Sequence, residues 1–256
     1  MIRKPTLNWE ERLHYRDRLR AARYSALADS EGFGEICFAI EALGLRLNGR
    51  EAALGRYFDV INELASDSVV LASLTKDFPT LFSKFPALYD MLRKARNDVM
   101  HTGVYARHAT SAAIELCIGL EEALMKEQQL ARKSVADYMV KSPVVIQSWQ
   151  PIAHARQLML THSFSYLPVN LNGWKLVSEF SMARFLHGTK NRAELLATSI
   201  EDAVNVGLSL TVANLVESNE DASKLLHNAA QDVQTLWLIE DGYGGICGVL
   251  SPFELM

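Results

Sequence analysis

Two hydrophobic rhythms divide the chain. From about Glu10 to Lys133 apolar residues recur every three or four positions, the spacing of one buried stripe on an amphipathic helix. Phe85, Leu88, Leu92, Ala95 and Val99 form one such stripe, and Ala113, Leu116, Cys117, Leu120 and Leu124 another. Thr110 or Ser111 is placed to cap the start of the second. Ile36, Ile40 and Leu43 mark an earlier helix whose apolar face continues through Leu45 and is broken by Asn48-Gly49. The stretch from Glu51 to Ala65 predicts a further one, so this half reads as a bundle of four or five helices. After Lys133 short β-branched runs take over, at Val144-Val145-Ile146, Leu208 to Val212 and Trp237-Leu238-Ile239, with helical stretches between them.

The second half also repeats itself. Ser134-Val-Ala-Asp137 matches Ser199-Ile-Glu-Asp202, and Ala155, Leu158 and Met159 match Ala222, Leu225 and Leu226. Leu167, Val169, Asn172 and Gly173 match Leu236, Leu238, Asp241 and Gly242, and Val177-Ser178 answers Leu250-Ser251. The offset drifts from 65 to 73, as insertions at loops would make it, one of them around Tyr243 to Cys247. Asn172-Gly173 and Asp241-Gly242, each between apolar residues, read as two-residue hairpin turns. The expected class is multidomain α and α/β: an N-terminal all-α helical bundle over 1–132, then a tandem βαββα-type module over 133–256, with copies at 133–190 and 199–256.

The duplicated unit resembles the cystathionine-β-synthase (CBS) domain. Ser134-Val-Ala-Asp-Tyr-Met139 looks like that family's V-x-D-x-M opening. Tyr166-Leu-Pro-Val169, Asn172-Gly173 and Leu176-Val177-Ser178 look like its core, and the second copy is the weaker match. The resemblance implies a paired module that takes adenosine-type ligands in clefts, with an adenine nucleotide as regulatory ligand. Tyr166, Pro168, Ser178 and Ser181 would line the first cleft, and Ser251 and Glu254 the second. The family grips a ribose with Asp three residues after a Ser or Thr, but Ser181 and Glu254 stand there instead. Glu254 keeps the charge on a longer arm, and Ser181 lacks it. The serines alternatively serve as helix caps in a module kept for dimerisation.

Composition narrows the classes. The 256 residues are 49% hydrophobic and 22% charged, which excludes a disordered or fibrous chain. A net charge of -4 sets no overall field for nucleic acid. Met1 to Arg23 is locally basic, with seven Lys and Arg against Glu10, Glu11 and Asp17, and suits either a phosphate-facing first helix or a solvated helix face. Cys37, Cys117 and Cys247 lie among apolar neighbours without CxxC spacing, as buried thiols in a reducing compartment do. With a polar opening and no run of about 20 apolar residues, a cytoplasmic protein without a membrane partner is expected.

One motif in the helical half could carry chemistry: Arg96-Asn-Asp-Val-Met-His101-Thr-Gly103. Asn97 and His101, four residues apart, stack on one helix face off the apolar stripe. Gly103 can end the helix in a left-handed conformation, which puts His101 in the last turn, where the dipole favours imidazolium. A His can shuttle protons near neutral pH, and an Arg can hold charge developing on phosphate oxygens. Neither role requires a metal or other cofactor, and no HExxH or Cys/His set suggests one.

The stretch resembles the Arg-x4-His signature of HEPN domains (higher eukaryotes and prokaryotes nucleotide-binding), many of which are metal-independent, toxin-like endoribonucleases acting as homodimers. The resemblance implies RNA cleavage through attack of the 2′-hydroxyl, leaving a cyclic phosphate. His101 would transfer the proton, Arg96 would stabilise the phosphorane-like transition state, and Asn97 and Asp98 would orient them. Arg107 and His108 would extend an RNA-binding rim or form a solvated loop, and Tyr105 would stack a base or pack. Two functions follow: a ribonuclease regulated by a ligand-sensing pair, or a non-catalytic, nucleotide-binding or dimerising regulator.

Overall fold

A computed structural model describes residues 6–29, 32–98, 106–126, 134–187, 191–228 and 236–256, with the side chains of Asp98, Ala106, Arg107 and 226–228 outside the description. The chain divides into two compact units, Met1–Ala131 and Arg132–Met256. The first is helical: α1 (Trp9–Ala28), α2 (Phe33–Asn48), α3 (Phe58–Ala65), α4 (Leu74–Asp77), α5 (Phe85–Asp98) and α6 (Ala106–Met125). A 3-10 turn at Leu54–Tyr57 precedes α3 and a π-helical turn at Val69–Ser73 precedes α4. The described members of both expected stripes are buried, Phe85, Leu88, Leu92 and Ala95 on α5 and Ala113, Leu116, Cys117, Leu120 and Leu124 on α6, while Val99 lies outside the described residues. Helix α6 packs against α1 and α5, and its Gly119 lies so close to Leu71 of the π-turn that a Cβ there would overlap it. Gly49 ends α2 at φ +73°, as the Asn48-Gly49 break predicts.

Three expectations for this unit change. The helix expected over Glu51 to Ala65 is an extended lead, the 3-10 turn and the short α3. Thr110 and Ser111 lie inside α6 (Ala106–Met125) rather than at its start. Helix α1 presents three of its arginines inward: Arg12, Arg16 and Arg20, spaced four apart, are all buried, while Arg18 is exposed. Arg12 donates from Nη1 to the Leu124 carbonyl at 3.1 Å and more loosely to Ala123 at 3.4 Å. These are among the last carbonyls of α6, which have no acceptor role within the helix and a favourable dipole for a cation. Arg23 grips Glu121 through two bonds of 2.9 and 3.1 Å, and Arg20 lies 4.0 Å from the same carboxylate. Burial pushes the Arg20 pKa down. The basic face of α1 is therefore neither solvated nor a phosphate surface at these positions.

The second unit interleaves α7 (Val135–Tyr138), β1 (Val140–Lys141), α8 (Ile152–His162), β2 (Tyr166–Asn170), β3 (Trp174–Ser178), α9 (Glu179–Leu186) and α10 (Arg192–Ala197). There follow α11 (Ile200–Asn205), β4 (Thr211–Val212), β5 (Asn214–Glu217), α12 (Ala222–Asn228), β6 (Trp237–Glu240), β7 (Ile246–Leu250) and α13 (Pro252–Leu255). One sheet runs β1-β7-β6-β5 and the other β2-β3-β4. Ile146 makes an isolated parallel bridge to Val169 on the free side of β2, as β5 pairs parallel with β6. Thus β1, at the start of the first copy, completes the sheet of the second, and β4, at the start of the second copy, completes the sheet of the first.

The exchange is reciprocal at the helix starts as well. Val135 and Ala136 donate to the carbonyls of Glu220 and Ser218, and Ile200 and Glu201 donate to those of Gln150 and Ser148. These bonds revise the internal alignment. The entry motifs stand 65 apart, Ser134 to Ser199, but from Ser148/Ser218 the offset is already 70. Ile152 therefore answers Ala222, and Ala155 answers Leu225. Leu167 and Val169 answer Trp237 and Ile239, not Leu236 and Leu238. The burial pattern decides this, because Leu167 and Val169 enter one helix-facing core, and Trp237 and Ile239 the other. A one-residue slip would turn each strand over. Leu238 instead meets Leu176 and Ala213 in a small core between the sheets.

Of the expected strands, Val144 and Val145 stay outside the sheets, Leu208 to Val212 contracts to Thr211–Val212, and β1 was not foreseen. Both hairpins form, with longer turns than two residues. In the first, Asn170 pairs with Trp174 and Asn172 and Gly173 take φ of +53° and +106°. In the second, Asp241 Oδ1 accepts from the amides of Tyr243 (2.8 Å) and Gly245 (3.0 Å). The extra residues fall here, as expected, together with a β-bulge after Ile239.

Candidate functional sites

The first-copy ligand residues converge. Tyr166 on β2 pairs across the hairpin with Ser178 at the end of β3, and Pro168 pairs with Leu176. Ser178 then caps α9, so Ser181 follows in its first turn. The Ser181 amide donates to Ser178 Oγ (3.0 Å), and Ser181 Oγ donates to the Ser178 carbonyl (2.9 Å). Both hydroxyls are thus engaged in a capping box. The Tyr166 phenol is half-buried and its pKa is raised, first by burial and then by Glu179.

The second-copy pair is built alike. Glu254 Oε2 accepts from the Ser251 amide (2.7 Å) and from Ser251 Oγ (2.6 Å). The longer arm of Glu254 thereby folds back onto its own helix cap. The repeated S-x-x-D motifs have the same role: Asp137 accepts from Ser134 and Asp202 from Ser199, at helix starts where Val135 and Ile200 are buried. These four pairs hold helix ends, and a ligand at either Ser178 or Ser251 must exchange with a cap.

In the helical unit, Arg96 and Asn97 are exposed near the end of α5. Arg96 Nη2 lies 2.6 Å from Glu41 Oε1 of α2, a partner that sequence reasoning missed. Glu41 follows buried Ile40, so its place at the edge of that apolar stripe was the available signal. Cys37 sits one turn earlier, its thiol pushed up to about 12 by burial, against the opposing pull of Arg96. An anion reaching Arg96 has to compete with Glu41. His101 and Tyr105 fall outside the described residues, as do the side chains of Asp98 and Arg107. His108 is exposed in the first turn of α6.

No protein-family model matches the chain, and no curated protein does. Among solved structures, a CBS domain-containing protein from Bacillus anthracis is 18% identical, with a TM-score of 0.39, over 50% of this chain and 94% of that one. The CBS domain of a bacterial CNNM/CorC family Mg2+ transporter, in complex with ATP, is 18% identical at a TM-score of 0.39, over 50% and 88%. A hemolysin-like CBS protein of Oenococcus oeni is 20% identical at a TM-score of 0.36, over 48% and 87%. At these values the architecture of the α/β unit rests on its own strand pairings. No described helix is long and apolar enough to cross a membrane.

Proposed function

We propose that this chain is a nucleotide-responsive regulator. Its α/β unit acts as a CBS-type pair that takes an adenine nucleotide, and its helical unit carries the output as part of a homodimer. The reciprocal strand exchange supports this reading best. Each copy completes the other's sheet, so binding at the Ser178 or the Ser251 corner bears on both copies. A ligand that favours one arrangement of the caps then shifts the whole unit.

The test is thermal unfolding of the full chain with ATP, ADP, AMP and GTP. A ligand at a hundred times its Kd adds about 2.7 kcal/mol. Ser178→Ala with Ser181→Ala should abolish the response of the first corner, and Glu254→Gln that of the second. No response to any nucleotide overturns the proposal.

A second reading, RNA cleavage by the helical unit, is favoured by Arg96 and Asn97 lying side by side on the exposed face of α5. It requires cleavage in EDTA that is lost in both Arg96→Ala and His101→Ala. Equal activity in all three proteins ends it.

A further inference from the structure

The segment between α3 and α5 is strapped across one face of α6. At one foot Glu122 Oε2 accepts from Ser68 Oγ (2.5 Å) and from the Val70 amide (3.2 Å). At the other, Glu115 Oε1 accepts from the Ser83 amide (2.9 Å). Between the feet Leu71 sits against Gly119, and Glu115, Gly119 and Glu122 follow one another at helix-face spacing. Leu71, Thr75 and Phe85 are buried, but the stretch between Thr75 and Phe85 turns outward. Every residue from Lys76 to Leu81 is exposed. The Phe78 carbonyl accepts from the amides of Leu81 (3.0 Å) and Phe82 (3.1 Å), closing a tight turn with Pro79 at its second position. Phe78 is 50% and Leu81 73% exposed at that turn. Ile118 follows Glu115 by three residues on the same face of α6 and is exposed, as is Val69 at the first foot. Lys76 and Lys84 flank the turn, both exposed, and neither forms an ion pair among the described residues. Asp77 is the one acidic residue between them.

We propose that the tip of this strap, Lys76 to Lys84, docks the protein on the surface of an anionic membrane. Phe78 and Leu81 enter the boundary between headgroups and acyl chains, while Lys76 and Lys84 stay among the lipid phosphates. The turn itself requires no apolar side chain at either position, so folding does not account for an exposed Phe and Leu held side by side. The feet on α6 fix the tip before it meets a bilayer, so little conformational freedom is lost on insertion. With two lysines against one aspartate, a single tip gives weak, reversible attachment. The absence of a long apolar run bears on a span, and a surface contact needs none. The inference is independent of the proposed nucleotide response.

Flotation of the full chain with phosphatidylcholine vesicles, with and without phosphatidylserine, tests it at about 0.1 M and about 1 M salt, where the screening length falls from about 10 to about 3 Å. The chain should float with the phosphatidylserine vesicles at the lower salt. Binding should be at least about tenfold weaker to phosphatidylcholine alone or at the higher salt. Phe78→Ser with Leu81→Ser should abolish flotation without moving the thermal unfolding midpoint, since both side chains are exposed. Lys76→Glu with Lys84→Glu should weaken binding to the anionic vesicles at least about tenfold. A wild-type chain that floats with neither vesicle overturns the proposal, as does flotation that survives in both variants. A chain that ignores vesicles but self-associates in sedimentation, and becomes monomeric in Phe78→Ser with Leu81→Ser, overturns it too and assigns the tip to a second copy.

Discussion

The helical unit and the α/β unit both close open helix ends, over different ranges. In the helical unit a buried cation, Arg12, reaches from α1 to the last carbonyls of α6. In the α/β unit hydroxyls and carboxylates close helix starts locally, as Ser134 with Asp137 and Ser199 with Asp202 do. The difference lies in reach and burial. The arginine contacts tie distant helices together inside the fold, so breaking them strands charge in a low-dielectric setting. The capping boxes span three residues at the surface, where water replaces a lost partner.

That contrast can be broken most forcefully at Glu121. Glu121→Ala removes the carboxylate gripped by Arg23 and approached by Arg20, all largely buried, and should cost about 3 kcal/mol. Urea unfolding followed by circular dichroism measures it. A loss similar to that of a surface pair would mean the Glu121 contacts add little to the hold on α1. Asp137→Ala and Asp202→Ala should each cost about 1 kcal/mol. Because the two boxes share no partners, the double variant should lose close to the sum. A marked excess would show that the exchanged copies couple their helix starts.

Gly173→Ala should cost about 1 kcal/mol or more, since φ of +106° strains an L-residue, and should leave the helical unit's unfolding midpoint unmoved. The smallest effect concerns the thiols. Alkylation of the native protein near neutral pH should label half-buried Cys247 first and spare Cys37 and Cys117 until unfolding. Burial raises the Cys37 thiol to about 12, so the folded form resists its ionisation. Its contribution is intact below the unfolded thiol value of about 8.5 and declines as pH rises from there toward about 12. Cys117, raised in the same direction by burial, adds to that decline. Stability that stays flat across this alkaline range would place Cys37 in water.

What the sequence disclosed follows the range of each interaction. Helix stripes and the presence of a turn at Asn172-Gly173 are local and were legible from spacing, whereas the S-x-x-D pairs were legible as a repeat but not as caps. The inward arginines were not legible, because the acceptors of Arg12 lie 111 and 112 residues away. Nor was β1, whose two residues form a strand only because β7 supplies the ladder. The internal alignment was off by one at β2/β6, where apolar residues occupy successive positions and only the pleat distinguishes the faces. Asn97 was placed off the apolar stripe of α5 by periodicity alone, while the contact of Arg96 with Glu41, 2.6 Å away, left only a faint trace in the helix pattern.

The exchanged strands also set an order of assembly during synthesis. The first copy's sheet lacks its β4 edge until Thr211–Val212 emerge, and β1 has no ladder partner until Val249 and Gly248 are made. The first copy cannot mature as the ribosome finishes it, so the unit must close late, through contacts distant in sequence. A chain cut between α10 and α11 should for the same reason yield two fragments that find each other, each carrying the edge the other lacks.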